Sequence, residues 1–168
     1  CISPQYWINN MKRSSFKRWH PLLGEWVIIA PSTAARPWNG ETVSGAGSLL
    51  PSYDPECYLC PGNPRASGEV NPSYKYTYVF DNDFPTLSMQ YNIDDADFAD
   101  DNDKPARGAC RVVCFSPEHN LTLAEMSVDE LGTVVRVFRD QFTELAEEKE
   151  IDYVMSWESK GAVVGVSN

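Results

Sequence analysis

Ser127-Val128-Asp129-Glu130-Leu131-Gly132-Thr133-Val134-Val135-Arg136-Val137-Phe138-Arg139-Asp140-Gln141-Phe142-Thr143-Glu144-Leu145-Ala146 is the clearest helical stretch in the chain. Ser127 and Glu130 have the spacing of a capping box. Leu131, Val134, Val135, Phe138, Phe142 and Leu145 recur at three- and four-residue steps, while Arg136, Arg139, Asp140, Glu144, Glu147 and Glu148 form a charged face. One apolar stripe of this kind predicts a helix laid on a sheet, and it carries no chemistry of its own.

The strands lie outward from this helix. Residues 111–115 upstream and 151–157 downstream have strand character, and a small-residue strand runs through Gly165, Val166 and Ser167 to Asn168. Residues 74–80 alternate in the β manner and stop at Asp81-Asn82-Asp83-Phe84-Pro85. Nearer the start, a turn at Leu23-Gly24 enters a strand over residues 25–30, and a long loop of small residues runs from Arg36 to Pro51. Strands joined by long loops, with one capped helix before the last pair, predict an α+β domain with a mainly antiparallel sheet.

The 168 residues are enough for one domain with a core, and 42% hydrophobic and 12% aromatic content is globular. No apolar run approaches the roughly 18 residues of a membrane span, and residues 1–11 lack a secretory signal, so a cytoplasmic protein is expected. The chain opens on Cys1 and its first Met is Met11, which predicts a start inside a longer reading frame or a processed chain. The formal charge of -10 argues against broad nucleic-acid or membrane binding. Much of it lies in Asp94, Asp95, Asp97, Asp100, Asp101 and Asp103, read as a solvated loop because the Gly and closing Glu of a calcium loop are missing. Lys12, Arg13, Lys17, Arg18 and Arg36 concentrate the positive charge, and an anionic ligand is expected near them.

Five cysteines without a secretory signal favour free thiols and metal ligation over a disulfide framework. Cys57-Tyr58-Leu59-Cys60-Pro61-Gly62-Asn63 sits among Pro51, Pro55 and Pro64, and two thiols three positions apart across a sharp turn can reach one tetrahedral ion. A redox role for the pair lacks the βαβ context it would need. Cys110 and Cys114 share a strand face but stand about 13 Å apart at the rise of a strand, so they are expected in the core. Of the two histidines, His119 follows a strand and a Ser-Pro turn that can aim it at the cysteines, and it is preferred to His20; a lone histidine is more often structural, and the Cys pair weighs against that. The count stops at three ligands. Asn82-Asp83, at a strand end, offers donors and acceptors to a ligand, although Asn-Asp before Pro is more commonly a turn.

Several segments in order resemble the galactose-1-phosphate uridylyltransferase family of the histidine-triad superfamily: Arg18-Trp19-His20-Pro21-Leu22-Leu23-Gly24-Glu25-Trp26-Val27, Arg36-Pro37-Trp38, Tyr53 through Asn63, Phe80 through Pro85, Cys110 through His119, and Lys160-Gly161-Ala162 to Ser167-Asn168. The resemblance implies a histidine-triad-like half-barrel domain over residues 18–168 after an N-terminal extension of residues 1–17. It also implies UMP transfer from UDP-glucose to galactose 1-phosphate through a covalent uridylyl-histidine, in galactose metabolism. It makes Cys57, Cys60 and His119 zinc ligands, Asn82 and Asp83 uridine and ribose contacts, Gly165 and Ser167 phosphate neighbours, and Arg36 a phosphate or sugar contact across the interface of a homodimer.

In the family a Pro-His-Pro-His-Gly-Gln segment follows Ser-Asn, its first His completing the zinc site and its second attacking phosphorus. The expectation is therefore that the 168 residues contain neither nucleophile nor fourth ligand and are inactive by themselves. Three positions depart from the family pattern: Thr33 where an Arg is usual, Ser159 where an Asn is usual, and Val166 where a Cys is common. The alternatives are a catalytically inactive nucleotide-binding or zinc-stabilised interaction module, and a sister nucleotidyltransferase acting on another nucleoside diphosphate sugar.

Overall fold

A computed structural model describes residues 14–35, 50–90 and 102–159. The chain divides into two compact units, Cys1–Arg36 with Asp81–Arg111, and Pro37–Phe80 with Val112–Asn168. The architecture is α+β, with small antiparallel sheets and one long helix. No helix among the described residues is long and apolar enough to cross a membrane.

In the first unit, β1 (Phe16–His20) and β2 (Glu25–Ile29) form a hairpin in the register Phe16↔Ile29 to His20↔Glu25. Its turn is closed by Gly24 N–H on His20 O at 2.8 Å and by Leu23 N–H on His20 Nδ1 at 3.2 Å. Gly24 has φ +68°, a conformation that favours a residue without Cβ. His20, the second candidate ligand, is thus occupied with its own turn. Opposite β2, the two-residue β4 (Lys104–Pro105) pairs antiparallel with β1, giving the order β2-β1-β4. Trp19 and Trp26 face each other across the hairpin in an edge-on contact of 5.6 Å, and Lys104 Nζ sits 4.6 Å from the Trp26 ring centroid.

Asp103 corrects the reading of the acidic run as a solvated loop. Its carboxylate is almost wholly buried and takes Arg18 Nε at 2.9 Å and Nη2 at 2.6 Å, a fork that ties the segment before β4 to β1. Asp94, Asp95, Asp97, Asp100 and Asp101 lie outside the described residues. Arg18 is correspondingly committed to this carboxylate.

In the second unit the β-patterned stretch at residues 74–80 pairs over a shorter range than its alternation predicts. The strand is β3, Tyr78–Asp81, neighbouring β5, Arg111–Cys114. Just beyond β3, Asn82 N–H donates to Cys110 O at 2.9 Å, a bond within the first unit. Tyr74 turns away from the strand to donate its hydroxyl to Leu59 O at 2.8 Å, while its ring stacks on Tyr78 and Tyr78 on Phe80. Arg65 is buried here, its guanidinium 4.3 Å from the Phe80 centroid and bonded to Tyr78 Oη and the Glu69 carboxylate.

The predicted helix is present as α1, Val128–Ala146, with the capping box formed: Ser127 Oγ accepts from Glu130 N–H, and Glu130 Oε2 accepts from Ser127 N–H at 2.8 Å. Its inward stripe is narrower than the sequence pattern. Val134 is buried and Leu131, Phe138 and Leu145 are partly so, whereas Val135 is 65% and Phe142 50% exposed. Val135 lies about 100° around the helix from Val134, and Phe142 falls at the edge of the stripe.

Residues 151–157, expected as a strand, form none. Tyr153, Met155 and Trp157 are exposed, and among the described residues no strand pairs with this stretch. The small-residue strand through Gly165 lies outside the described residues.

A candidate metal centre of two cysteines and one histidine

Three successive turns build the sulfur side of the centre. Cys57 N–H donates to Asp54 O at 3.2 Å, Cys60 N–H to Cys57 O at 3.3 Å, and Asn63 N–H to Cys60 O at 3.3 Å. In such i to i+3 turns side chains three apart eclipse one another, so both thiols emerge on one side of the backbone. Gly62, at φ +79°, lets the chain leave the last turn. Gly62 N–H then donates to Asn71 O and Asn71 N–H to Asn63 O, folding residues 62–71 back beside the cysteines. Leu59 N–H points at Cys57 Sγ from 3.4 Å, a donor placed to stabilise negative charge on that sulfur.

His119 reaches the same place from β5. Glu118 N–H donates to Ser116 Oγ at 3.0 Å, shaping the turn after the strand, and His119 N–H donates to Ser52 O at 2.8 Å. That bond anchors the histidine to the segment leading into the cysteine turn. Cys57 Sγ, Cys60 Sγ and a ring nitrogen of His119 lie within 4.8 Å of one another, and Cys60 Sγ is 3.5 Å from His119 Nδ1. With metal–sulfur bonds of about 2.3 Å and metal–nitrogen bonds of about 2.0 Å, the edges of a tetrahedron are about 3.5–3.8 Å. The Cys60–His119 separation is already such an edge.

All three residues are buried, Cys60 at 3% exposure and His119 at 2%. Burial, with the neighbouring Cys57 adding to it, pushes the Cys60 thiol up to about 11. A divalent cation would supply the charge that lets such thiols ionise where water cannot. Two sulfurs and an imidazole nitrogen buried within 4.8 Å of one another fit zinc-type ions and do not fit magnesium or calcium, which take oxygen.

Cys114 lies close by and is buried, as expected of a core cysteine; Cys110 is only partly buried. Desolvation pushes the Cys114 thiol up to about 11, opposed by a hydrogen bond with Tyr74, whose phenol burial also raises. Neither Cys110 nor Cys114 joins the group of three, which is the only such group among the described residues.

Asn82 and Asp83 belong to the first unit. Asn82 Oδ1 accepts from Phe84 N–H at 2.9 Å, so the amide closes the Asn-Asp-Phe turn with its oxygen. Arg36, Gly165 and Ser167 lie outside the described residues. Thr33 closes the 3₁₀ turn Pro31–Ala35 by donating its hydroxyl to Ala30 O at 2.7 Å. The residues that sequence reasoning did not assign are Tyr53, Asn63, Asn71 and Tyr74, all bonded to the cysteine turn or to each other around it. Their signals, Pro-Gly-Asn and Asn-Pro, mark turns and give no indication of which carbonyls the side chains would find.

Residues 6–168 match the family described as Galactose-1-phosphate uridyl transferase, N-terminal domain. The chain belongs to this family. Among its relatives are the galactose-1-phosphate uridylyltransferases of Haemophilus influenzae, 40% identical over 158 residues with 90% of this chain and 43% of the relative covered, and of Saccharomyces cerevisiae, 38% identical over 167 residues with 92% and 46% covered. The chain therefore spans less than half the length of these curated relatives. A solved structure described as a uridylyltransferase mutant superimposes with a TM-score of 0.54 at 18% identity, over 83% of this chain and 37% of that one, which supports the fold.

Proposed function

We propose that this chain is the metal-anchored N-terminal part of a UDP-glucose:hexose-1-phosphate uridylyltransferase, with zinc held by Cys57, Cys60 and His119. The observation that carries the reading is the convergence of two thiols and an imidazole, within 4.8 Å and buried, in a chain that matches the family from residue 6 to residue 168. The ion supplies cross-linking and charge to the fold. Chemistry belongs to a histidine in the Pro-His-Pro-His-Gly-Gln segment that follows Ser-Asn in the family: its nitrogen attacks the α-phosphorus of UDP-glucose, glucose 1-phosphate leaves, and galactose 1-phosphate then takes the UMP.

Asn82 and Asp83 serve the uridine and ribose. Asn82 spends its amide oxygen on Phe84 N–H, which leaves its NH₂ as the group to donate to the uridine in this reading. Arg36, Gly165 and Ser167 serve the phosphates, and the active enzyme is a homodimer.

Neither histidine in the 168 residues is placed to be the nucleophile. His119 is committed to the metal group, and His20 Nδ1 to Leu23 N–H. Incubated with UDP-glucose labelled in the uridylyl group, a polypeptide of residues 1–168 retains no acid-labile label. A polypeptide continued through Pro-His-Pro-His-Gly-Gln becomes labelled and passes the label to galactose 1-phosphate. Stoichiometric labelling of the shorter chain would sink this assignment, and transfer only to another sugar phosphate would establish the sister nucleotidyltransferase instead.

A further inference from the structure

The carbonyls of the cysteine turn find donors from two asparagine side chains that contribute no metal-binding atom. Asn63 Nδ2 donates to Asp54 O at 2.9 Å and to Cys57 O at 2.8 Å. Asn71 Nδ2 donates to Tyr58 O at 2.9 Å and to Cys60 O at 3.1 Å. Each amide thus holds the carbonyl of one candidate ligand and one neighbouring carbonyl. The two asparagines are also joined, Asn71 N–H donating to Asn63 O at 3.0 Å, and both are buried. Asn63 is fixed from its other end by Tyr53 Oη, which donates to Oδ1 at 2.5 Å.

The orientation of the Asn71 amide is set by the turn it meets. Its Oδ1 is buried without a hydrogen-bond partner among the described residues. Turning the amide over would set that oxygen against the carbonyl oxygens of Tyr58 and Cys60, so the turn dictates the orientation.

We propose that Asn63 and Asn71 are positioning residues for the metal centre: their amides clamp the backbone on either side of the Cys57 and Cys60 sulfurs and hold both thiols at tetrahedral spacing. The inference rests on the metal reading of Cys57, Cys60 and His119. Outer partners of this kind orient ligands and set affinity without touching the ion.

Cobalt(II) is the probe that separates the two levels. The unmodified protein loaded with cobalt shows thiolate-to-cobalt charge transfer and the strong d–d absorption of a tetrahedral site; absence of thiolate charge transfer overturns the metal reading and the clamp with it. Given that signal, Asn63→Asp and Asn71→Asp each replace a donor by a carboxylate facing carbonyl oxygens. Each is expected to weaken cobalt binding about 10- to 100-fold in chelator competition and to alter the d–d spectrum. Folded variants with unchanged affinity and spectrum overturn the clamp and leave the metal reading standing.

The unmodified protein provides a measurement that does not depend on variant folding. The side-chain NH₂ groups of Asn63 and Asn71 should exchange with solvent far more slowly than that of exposed Asn120 in the loaded protein. Exchange as fast as Asn120 at both positions overturns the proposal.

Discussion

Cys57→Ser keeps the size and the turn at position 57 but replaces a soft sulfur by a hydroxyl that does not ionise near neutral pH. Metal analysis of the purified variant is expected to show near-complete loss of bound zinc, and unchanged content would reject the ligand set. Asp103→Asn tests a different residue-scale bond. It removes the charge that meets the Arg18 fork in a site where the carboxylate is 1% exposed and the guanidinium 35%. Because Arg18 keeps access to water, the loss is expected at about 1–3 kcal/mol in a denaturant titration. The cysteines and His119 were legible in the sequence from spacing and from the turn chemistry around them. Asp103 was not, because five neighbouring aspartates made it look like one more solvated charge, and its partner lies 85 residues away.

At the scale of elements, α1 and β2 with the turn before it were legible because their signals are local, a capping box with a 3.6-residue stripe and a Leu-Gly turn; β1, which completes the hairpin, was not read from the sequence. Ser127→Ala should destabilise the protein by about 1 kcal/mol, read from the unfolding midpoint. The Glu130 carboxyl is held below its ordinary range by its bonds to Ser127. A depressed carboxyl contributes stability above its unfolded value and loses it as pH falls through the folded one. The cap is therefore expected to weaken on acidification below about 4.5, and Glu130→Gln should flatten that part of the stability profile. Residues 151–157 show the limit of periodicity, since β character in a sequence says nothing about whether a neighbouring strand is there to pair. In the same way the stretch at residues 74–80 loses its first half to Tyr74, whose hydroxyl finds Leu59 O in the cysteine turn.

For the whole molecule, what lies buried among the described residues is unusual for a core. Cys57, Cys60 and Cys114 make up most of the fully buried apolar residues, and Asn63, Arg65, Asn71 and His119 are buried with them in the second unit. Such an interior leans on hydrogen bonds, and an ion bound at the proposed centre would add to them. Stripping the metal with a chelator is therefore expected to raise amide hydrogen exchange across residues 52–74 and around His119. Exchange within Phe16–Ile29 of the first unit should rise less. Equal loosening of both regions would contradict a centre local to the second unit. The order of strands, long loops and one capped helix could announce an α+β domain, but not that asparagines would be buried in it, because that depends on which amide meets which carbonyl.

His119 and Cys60 are 59 positions apart in the chain. An ion shared between them would work as a clasp on the unfolded polymer as well as on the folded one. Closing a loop of that length removes chain entropy worth about 4 kcal/mol in a simple cross-link treatment. Within that loop lies Asp81–Arg111, the whole second segment of the other unit. The clasp would thus shorten the search by which that segment returns to the first 36 residues. Metal loading should accordingly speed the folding of a unit that contributes no ligand.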